Sequence, residues 1–144
     1  MLNHILESIK DCCFSANQKF MTESFVIGST TMTMSCEIFP KKDQEYLLCQ
    51  FDRRGHNCDI FPYFRQEVDG LVSMCDYTLF VEEDNRLIVL LLELKHDASP
   101  RRQVEINESF GRFICERLKV IFDDFDKPLV YRKIGIRERY NPLH

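Results

Sequence analysis

Ten residues near the middle of the chain, RLIVLLLELK (86–95), limit what it can fold into more than any other stretch. Leu87 to Leu92 are six apolar residues without a break. A run of that length, with a polar turn before it, reads as a central strand covered on both faces; a strand with one wet face would alternate apolar with polar. The preceding stretch CDYTLFV (75–81) has the same character, and EEDN (82–85) between the two is a polar turn. Strands are therefore expected over about 72–82 and 86–95. Three charges interrupt them: Asp76, Glu93 and Lys95. Strand ends reach solvent, and that alone can account for a terminal charge. Glu93, however, has apolar residues on either side, and a charge buried there is costly unless it is paired or metal-bound.

A tight antiparallel hairpin turning at Asp84–Asn85 gives facing residues whose numbers sum to 169, which sets Asp76 opposite Glu93. Directly paired side chains lie roughly 5 Å apart at Cβ and share a face. Lys95, two residues beyond Glu93, belongs to that same face. A slip of one residue would make the pairing diagonal and send one acid to the other side. In the paired register two carboxylates converge beside an ammonium. They repel and raise each other's pKa unless a positive charge sits between them. A hard divalent cation, Mg²⁺ or Mn²⁺, suits that position, with the Leu94 carbonyl as a further oxygen ligand. Lys95 would then serve a metal-bound water or charge developing on a phosphate.

The remaining pattern builds one domain over residues 1–144, as the length alone favours. Leu2, Ile5, Leu6, Ile9, Cys12, Cys13, Ala16 and Phe20 recur at helical spacing, so one amphipathic helix is expected over 2–20. Short strands are expected at 24–28, 31–39 and 45–51, and DIFPYFRQEVDG (59–70) resists assignment, its aromatics expected to pack under the sheet. Ser99 and Pro100 read as an N-cap and a first helical residue. The helix they open runs to about 124, with Val104, Phe110, Phe113, Ile114, Leu118, Ile121 and Phe125 on one side. LVYRKIGI (129–136) is a last strand. Helix, several strands, long helix and strand make an α/β fold with a mixed central sheet flanked by helices.

A net charge of −4 argues against a protein that coats nucleic acid indiscriminately. No stretch approaches the roughly 20 apolar residues a membrane span needs. The first residues carry acids and lack the basic start and apolar run of a secretory signal. Seven cysteines, an odd number with no C-x-x-C pair, then fit reduced thiols in a cytoplasmic protein. Cys49, His56, Cys58 and Cys75 have no common zinc spacing, and small buried thiols are the better reading. Arg53-Arg54 and the basic residues Arg132, Lys133, Arg137 and Arg139 could touch phosphates, though each cluster fits a solvated face better. His96 and Cys75, as strand neighbours of Lys95 and Asp76, should point away from the acids. No phosphate-cradling glycine loop or Ser/His/Asp set is evident.

Asp76, Glu93 and Lys95 in this arrangement resemble the signature of the PD-(D/E)xK nuclease superfamily, an Asp on one strand of a hairpin followed by Glu-x-Lys near the end of the next. The likeness covers about residues 70–136. It implies a restriction-endonuclease-like αβββαβ core and Mg²⁺- or Mn²⁺-dependent hydrolysis of a nucleic-acid phosphodiester, in DNA before RNA. Asp76, Glu93 and the Leu94 carbonyl would hold the cation and Lys95 would serve the attacking water. Gln103, on the following helix, would orient the site, and Arg101 and Arg102 would touch the nucleic-acid backbone. Many members add an acid from the first helix, for which Glu7 is the candidate. Cys75 stands where the family often has proline. At 17.1 kDa the chain has little room for a recognition domain, so a homodimer or a targeting partner protein is implied. Restriction, phage defence and repair are the settings the family suggests. The alternative is a nuclease-fold chain without turnover, acting as a binding or regulatory subunit.

Overall fold

The computed structural model describes residues 1–51, 63–65, 67–68, 74–95 and 101–137, and the side chains of residues 95 and 101–104 fall outside that description. Among the described residues there are two helices, α1 (Leu2–Ser8) and α2 (Arg101–Ile121), and six strands. The strands are β1 (Phe20–Ile27), β2 (Thr30–Glu37), β3 (Glu45–Cys49), β4 (Tyr77–Glu83), β5 (Arg86–Lys95) and β6 (Leu129–Arg137). Strands β3, β4, β5 and β6 form one sheet in that order. The first two pairings are antiparallel, and β5 runs parallel to β6, with α2 as the connection. β1 and β2 form a separate antiparallel hairpin. Gly28 opens its two-residue turn at φ +63°, while Ser29 keeps an ordinary φ. A turn with positive φ at its first central residue matches the right-handed twist of the strands, and glycine adopts it without strain.

The unbroken apolar character of β4 and β5 has a direct cause, since both faces of the sheet are covered. On one face Phe80, Leu87, Val89 and Leu91 pack with Leu2 and Ile5 of α1 and with Cys115 and Leu118 of α2. On the other, Tyr77, Leu79, Val81, Leu92 and Leu94 pack against Met21 and Met34 of the β1–β2 hairpin. The hairpin does for the second face what a second layer of helices does in many α/β proteins. Among the described residues no helix is long and apolar enough to cross a membrane.

Four expectations are corrected. The first helix ends at Ser8 rather than at residue 20. Ile9 is already extended, at φ −94° and ψ 139°. Residues Asp11–Cys13 make a single 3₁₀ turn. Asp, Cys, Ser and Asn between 11 and 17 are poor helix formers, and sheet bonding claims this segment: Phe14 bridges Cys49, the Ser15 amide donates to the Leu48 carbonyl at 2.9 Å, and the Gln50 amide donates to the Cys13 carbonyl at 2.8 Å. The cysteines are not all reduced: Cys12 is disulfide-bonded, while Cys13, Cys36, Cys49, Cys75 and Cys115 are not. In α2 the buried stripe is Asn107, Gly111, Cys115 and Leu118. That turns Phe113 and Ile121 outward, 56% and 68% exposed, because they lie beside the stripe and not on it. Finally, Tyr63 is 93% exposed and does not pack under the sheet, and Phe64 is also exposed. The Ser99–Pro100 cap lies outside the described residues.

Candidate functional site

The β4–β5 hairpin has the register in which facing residues sum to 169, from Glu83 opposite Arg86 to Tyr77 opposite Leu92. The Arg86 Nε donates to Glu83 at 2.6 Å and closes the turn over Asp84 and Asn85. Beyond Tyr77 and Leu92 the backbone ladder stops and side chains carry the pairing onward. The Asp76 amide donates to Glu93 Oε2 at 3.3 Å, and Asp76 Oδ2 accepts the Leu94 amide at 2.6 Å. Each acid thus holds the main chain that carries the other. Glu93 is only 2% exposed and Asp76 is half-buried.

The pleat determines which side these acids occupy. Glu93 shares its face with Leu87, Val89 and Leu91, which pack toward α2, and Asp76 shares its face with Thr78 and Phe80. The carboxylates therefore lie on the helix-covered side of the sheet. Asn107 of α2 comes down on the same place: its Nδ2 donates to Cys75 Sγ at 2.7 Å and to Thr78 Oγ1 at 3.2 Å. The Cys75 thiol in turn donates to the Tyr77 carbonyl at 3.1 Å. Thr78 and Asn107 are 2% and 1% exposed, and the Asn107 Oδ1 has no hydrogen-bond partner among the described residues.

Burial first, and then the nearby charge of Glu93, push the Cys75 thiol up to about 12. It is a neutral hydrogen-bonding group at ordinary pH and no nucleophile. Its position corrects the expectation that it would face away from Asp76. Cys75 lies beyond the Asp76–Glu93 pairing that extends the hairpin, and Asn107 holds its sulfur on the helix side. Cys49, another member of the imagined zinc set, is a fully buried thiol that burial pushes well above its usual range; His56 and Cys58 lie outside the described residues.

The other anticipated residues divide clearly. Leu94 is buried in β5, its amide taken by Asp76. Lys95 closes β5 opposite Arg137, and its side chain is outside the described part. Arg101, Arg102 and Gln103 form the first turn of α2, again with side chains outside it. Glu7 does not join the acids: it is exposed on α1, whose buried face is Leu2 and Ile5, and a residue two positions from Ile5 points elsewhere on so short a helix. Lys133 is engaged by Glu108 at 2.8 Å, and Glu108 also holds Arg112. Those two partners, Lys133 foremost, keep the Glu108 carboxyl below the usual carboxylate range. Arg132 and Arg137 are exposed. Arg53, Arg54, Asn57, Asp59, His96 and Arg139 lie outside the described residues.

Asp76 and Glu93 are donors of the kind a hard cation takes, and two protein carboxylates completed by water or substrate oxygens are a usual Mg²⁺ set. Among the described residues no group of three or more His, Cys, Asp or Glu side chains could hold a metal ion. The set thus fits Mg²⁺ or Mn²⁺ in chemistry, with protein carbonyl oxygens left to extend it. Reading the sequence for acids and bases passes over Thr78 and Asn107. A polar residue in register with Gly111, Cys115 and Leu118 on a buried helical stripe was the available signal, masked by the three phenylalanines nearby. No protein-family model matches this chain, and no curated protein or solved structure matches it either.

Proposed function

We propose that this chain is a divalent-cation-dependent nuclease of the PD-(D/E)xK type, hydrolysing phosphodiester bonds in DNA before RNA. One observation carries the reading: an aspartate and a glutamate, bonded to each other's backbone across a hairpin of fixed register, sit on one buried face at the end of a central strand. A pair of acids with no task beyond solubility would lie in water. The order of elements also favours it. Apart from the β1–β2 hairpin, the chain runs helix, three antiparallel strands, helix and a strand parallel to the third, compatible with a restriction-endonuclease-like core.

Asp76 and Glu93 would hold Mg²⁺ or Mn²⁺, with the Leu94 carbonyl beside them. When bound, the cation supplies positive charge to a phosphate oxygen and acidifies a water. The chain's own residues do the rest. The Leu94 amide fixes the Asp76 carboxylate, and the Asp76 amide fixes Glu93, so neither acid needs to reorganise when substrate arrives. Lys95 is assigned to the attacking water, and Gln103, Arg101 and Arg102, at the start of α2, to orientation and to the nucleic-acid backbone. Gly135 pairs with Glu93 on β6, and a side chain there would meet nothing within 4 Å; that open space beside a buried acid suits an approaching phosphate. A second copy or a partner protein would supply targeting, in a setting of restriction, phage defence or repair.

A second reading draws on the 2% exposure of Glu93. Both carboxylates could serve only to hold the hairpin, in a chain that binds a partner and turns over nothing. Incubating the purified protein with plasmid DNA and with RNA, with Mg²⁺ or Mn²⁺, beside Lys95→Ala, separates the two. The nuclease predicts cutting that needs metal and is lost in the variant by at least about a hundredfold. Calorimetry with Mn²⁺, beside Asp76→Ala, accompanies it. Intact substrate together with no Mn²⁺ uptake would leave the subunit reading standing.

A further inference from the structure

Asn107 is the most deeply buried polar side chain among the described residues of α2, and only half of its amide is satisfied. The nitrogen donates to Cys75 and Thr78. In this orientation the Cys75 thiol hydrogen goes to the Tyr77 carbonyl and the sulfur accepts from the amide. The oxygen is therefore the half without a partner among the described residues. An unsatisfied carbonyl at 1% exposure is costly, and such groups are retained where a water, ion or ligand completes them.

The packing of α2 on β5 places Asn107 at the level of the acids. A Cβ on Gly111 would lie 3.6 Å from Val89 and 3.9 Å from Leu91, so residue 111 sits over the middle of those two. Four residues of helix rise about 6 Å, close to the about 6.6 Å covered by two strand residues. One turn before Gly111, on the same stripe, Asn107 is thus level with Leu92 and Glu93. Its contact with Thr78, which shares a face with Asp76, puts it over the same patch from the other strand.

We propose that Asn107 is a third oxygen donor of the Asp76–Glu93 site, its Oδ1 reaching the bound cation directly or through one of the cation's waters. The inference rests on the cation-binding reading of the two acids, and it extends the site from one hairpin to the helix packed over it. The nitrogen's bonds to Cys75 and Thr78 fix the amide beside the residues that flank Asp76, with the oxygen left without a partner among the described residues. The family resemblance implies Gln103 as the helix's site residue; Asn107 lies four residues further along α2.

Titration of the full chain with MnCl₂ tests this directly, using wild type, Asn107→Leu and Asn107→Asp. Leucine keeps the volume and removes both polar atoms; aspartate keeps an oxygen and removes the nitrogen donor. The expected result is a loss of Mn²⁺ affinity of about tenfold or more in Asn107→Leu, with Asn107→Asp binding at least as tightly as wild type. Addition of Mn²⁺ should accordingly raise the melting temperature of wild type and Asn107→Asp more than that of Asn107→Leu. If leucine unfolds the chain, the aspartate variant still decides, because a carboxylate in place of a ligating amide oxygen must not weaken the site: Asn107→Asp that binds Mn²⁺ worse than wild type overturns the proposal. Equal Mn²⁺ affinity in wild type and Asn107→Leu overturns it too while leaving the acids as the site. Wild-type protein that takes up no Mn²⁺ overturns the cation reading itself and this proposal with it.

Discussion

Glu82 and Glu93 are both carboxylates on the central hairpin, and their surroundings treat them differently. Glu93 takes the Asp76 amide inside the cluster at the strand end. Glu82 receives Lys127 Nζ at 2.8 Å, the Leu2 amide at 3.0 Å and the Met1 amine at 2.9 and 3.0 Å. Burial alone would raise its pKa, but these donors, Lys127 foremost, more than offset it and hold the carboxyl at about 2. A carboxyl depressed in the folded state adds stability that is fully present above its unfolded value near 4.5 and fades as the pH falls toward 2. Urea denaturation should therefore find wild type more stable than Glu82→Gln at pH 6 by on the order of 2 kcal/mol, after allowing for solvent screening. The gap should close by about pH 2, and a gap that persists there would assign the effect to packing and not to ionisation.

At the scale of elements, α2 is joined to the sheet by small residues on its buried stripe. Gly111 looks like a glycine required by close packing, yet a methyl group there would sit 3.6 to 3.9 Å from Val89, Tyr131 and Leu91, ordinary contact distances. Glycine in a helix interior costs about 1 kcal/mol relative to alanine. Gly111→Ala should thus raise the melting temperature, by about 3 °C for a domain of this size. A fall on calorimetry would mean that the helix has to move to admit the methyl. The short α1 teaches the converse lesson. Its apolar spacing continues to Phe20 in the sequence, but the segment after Ser8 was worth more to the fold as an edge beside β3, where its amide and carbonyl groups bond to Leu48 and Gln50.

For the whole molecule, the question is how the β1–β2 hairpin stays on the second face of the sheet. Met21 and Met34 supply the apolar contact. Tyr77 supplies a clip: its hydroxyl accepts the Thr22 amide at 2.9 Å and donates to the Thr22 carbonyl at 3.0 Å. Tyr77→Phe removes both bonds and keeps the ring. Hydrogen exchange should then show amides of β1 around Thr22 losing protection by about tenfold, near 1 kcal/mol, with β5 unchanged. Uniform loss over both sheets would instead show that hairpin and sheet open as one unit.

Much of this was legible in the linear chain because the signals were local. Six consecutive apolar residues can only be a strand covered on both sides or a buried helix, and the turn at Asp84–Asn85 determines every pair in the hairpin that follows from it. That is why the meeting of Asp76 with Glu93 could be read from arithmetic on residue numbers. The Asn107 amide could not, since its place depends on how α2 settles across β5, a matter of packing between segments with no spacing rule in the sequence. Likewise, only the tertiary structure decided that a β-hairpin would cover the second face, and that residues 9 to 15 would leave the helix. The pleat and the turn are properties of neighbouring residues; burial is a property of whatever the rest of the chain brings alongside.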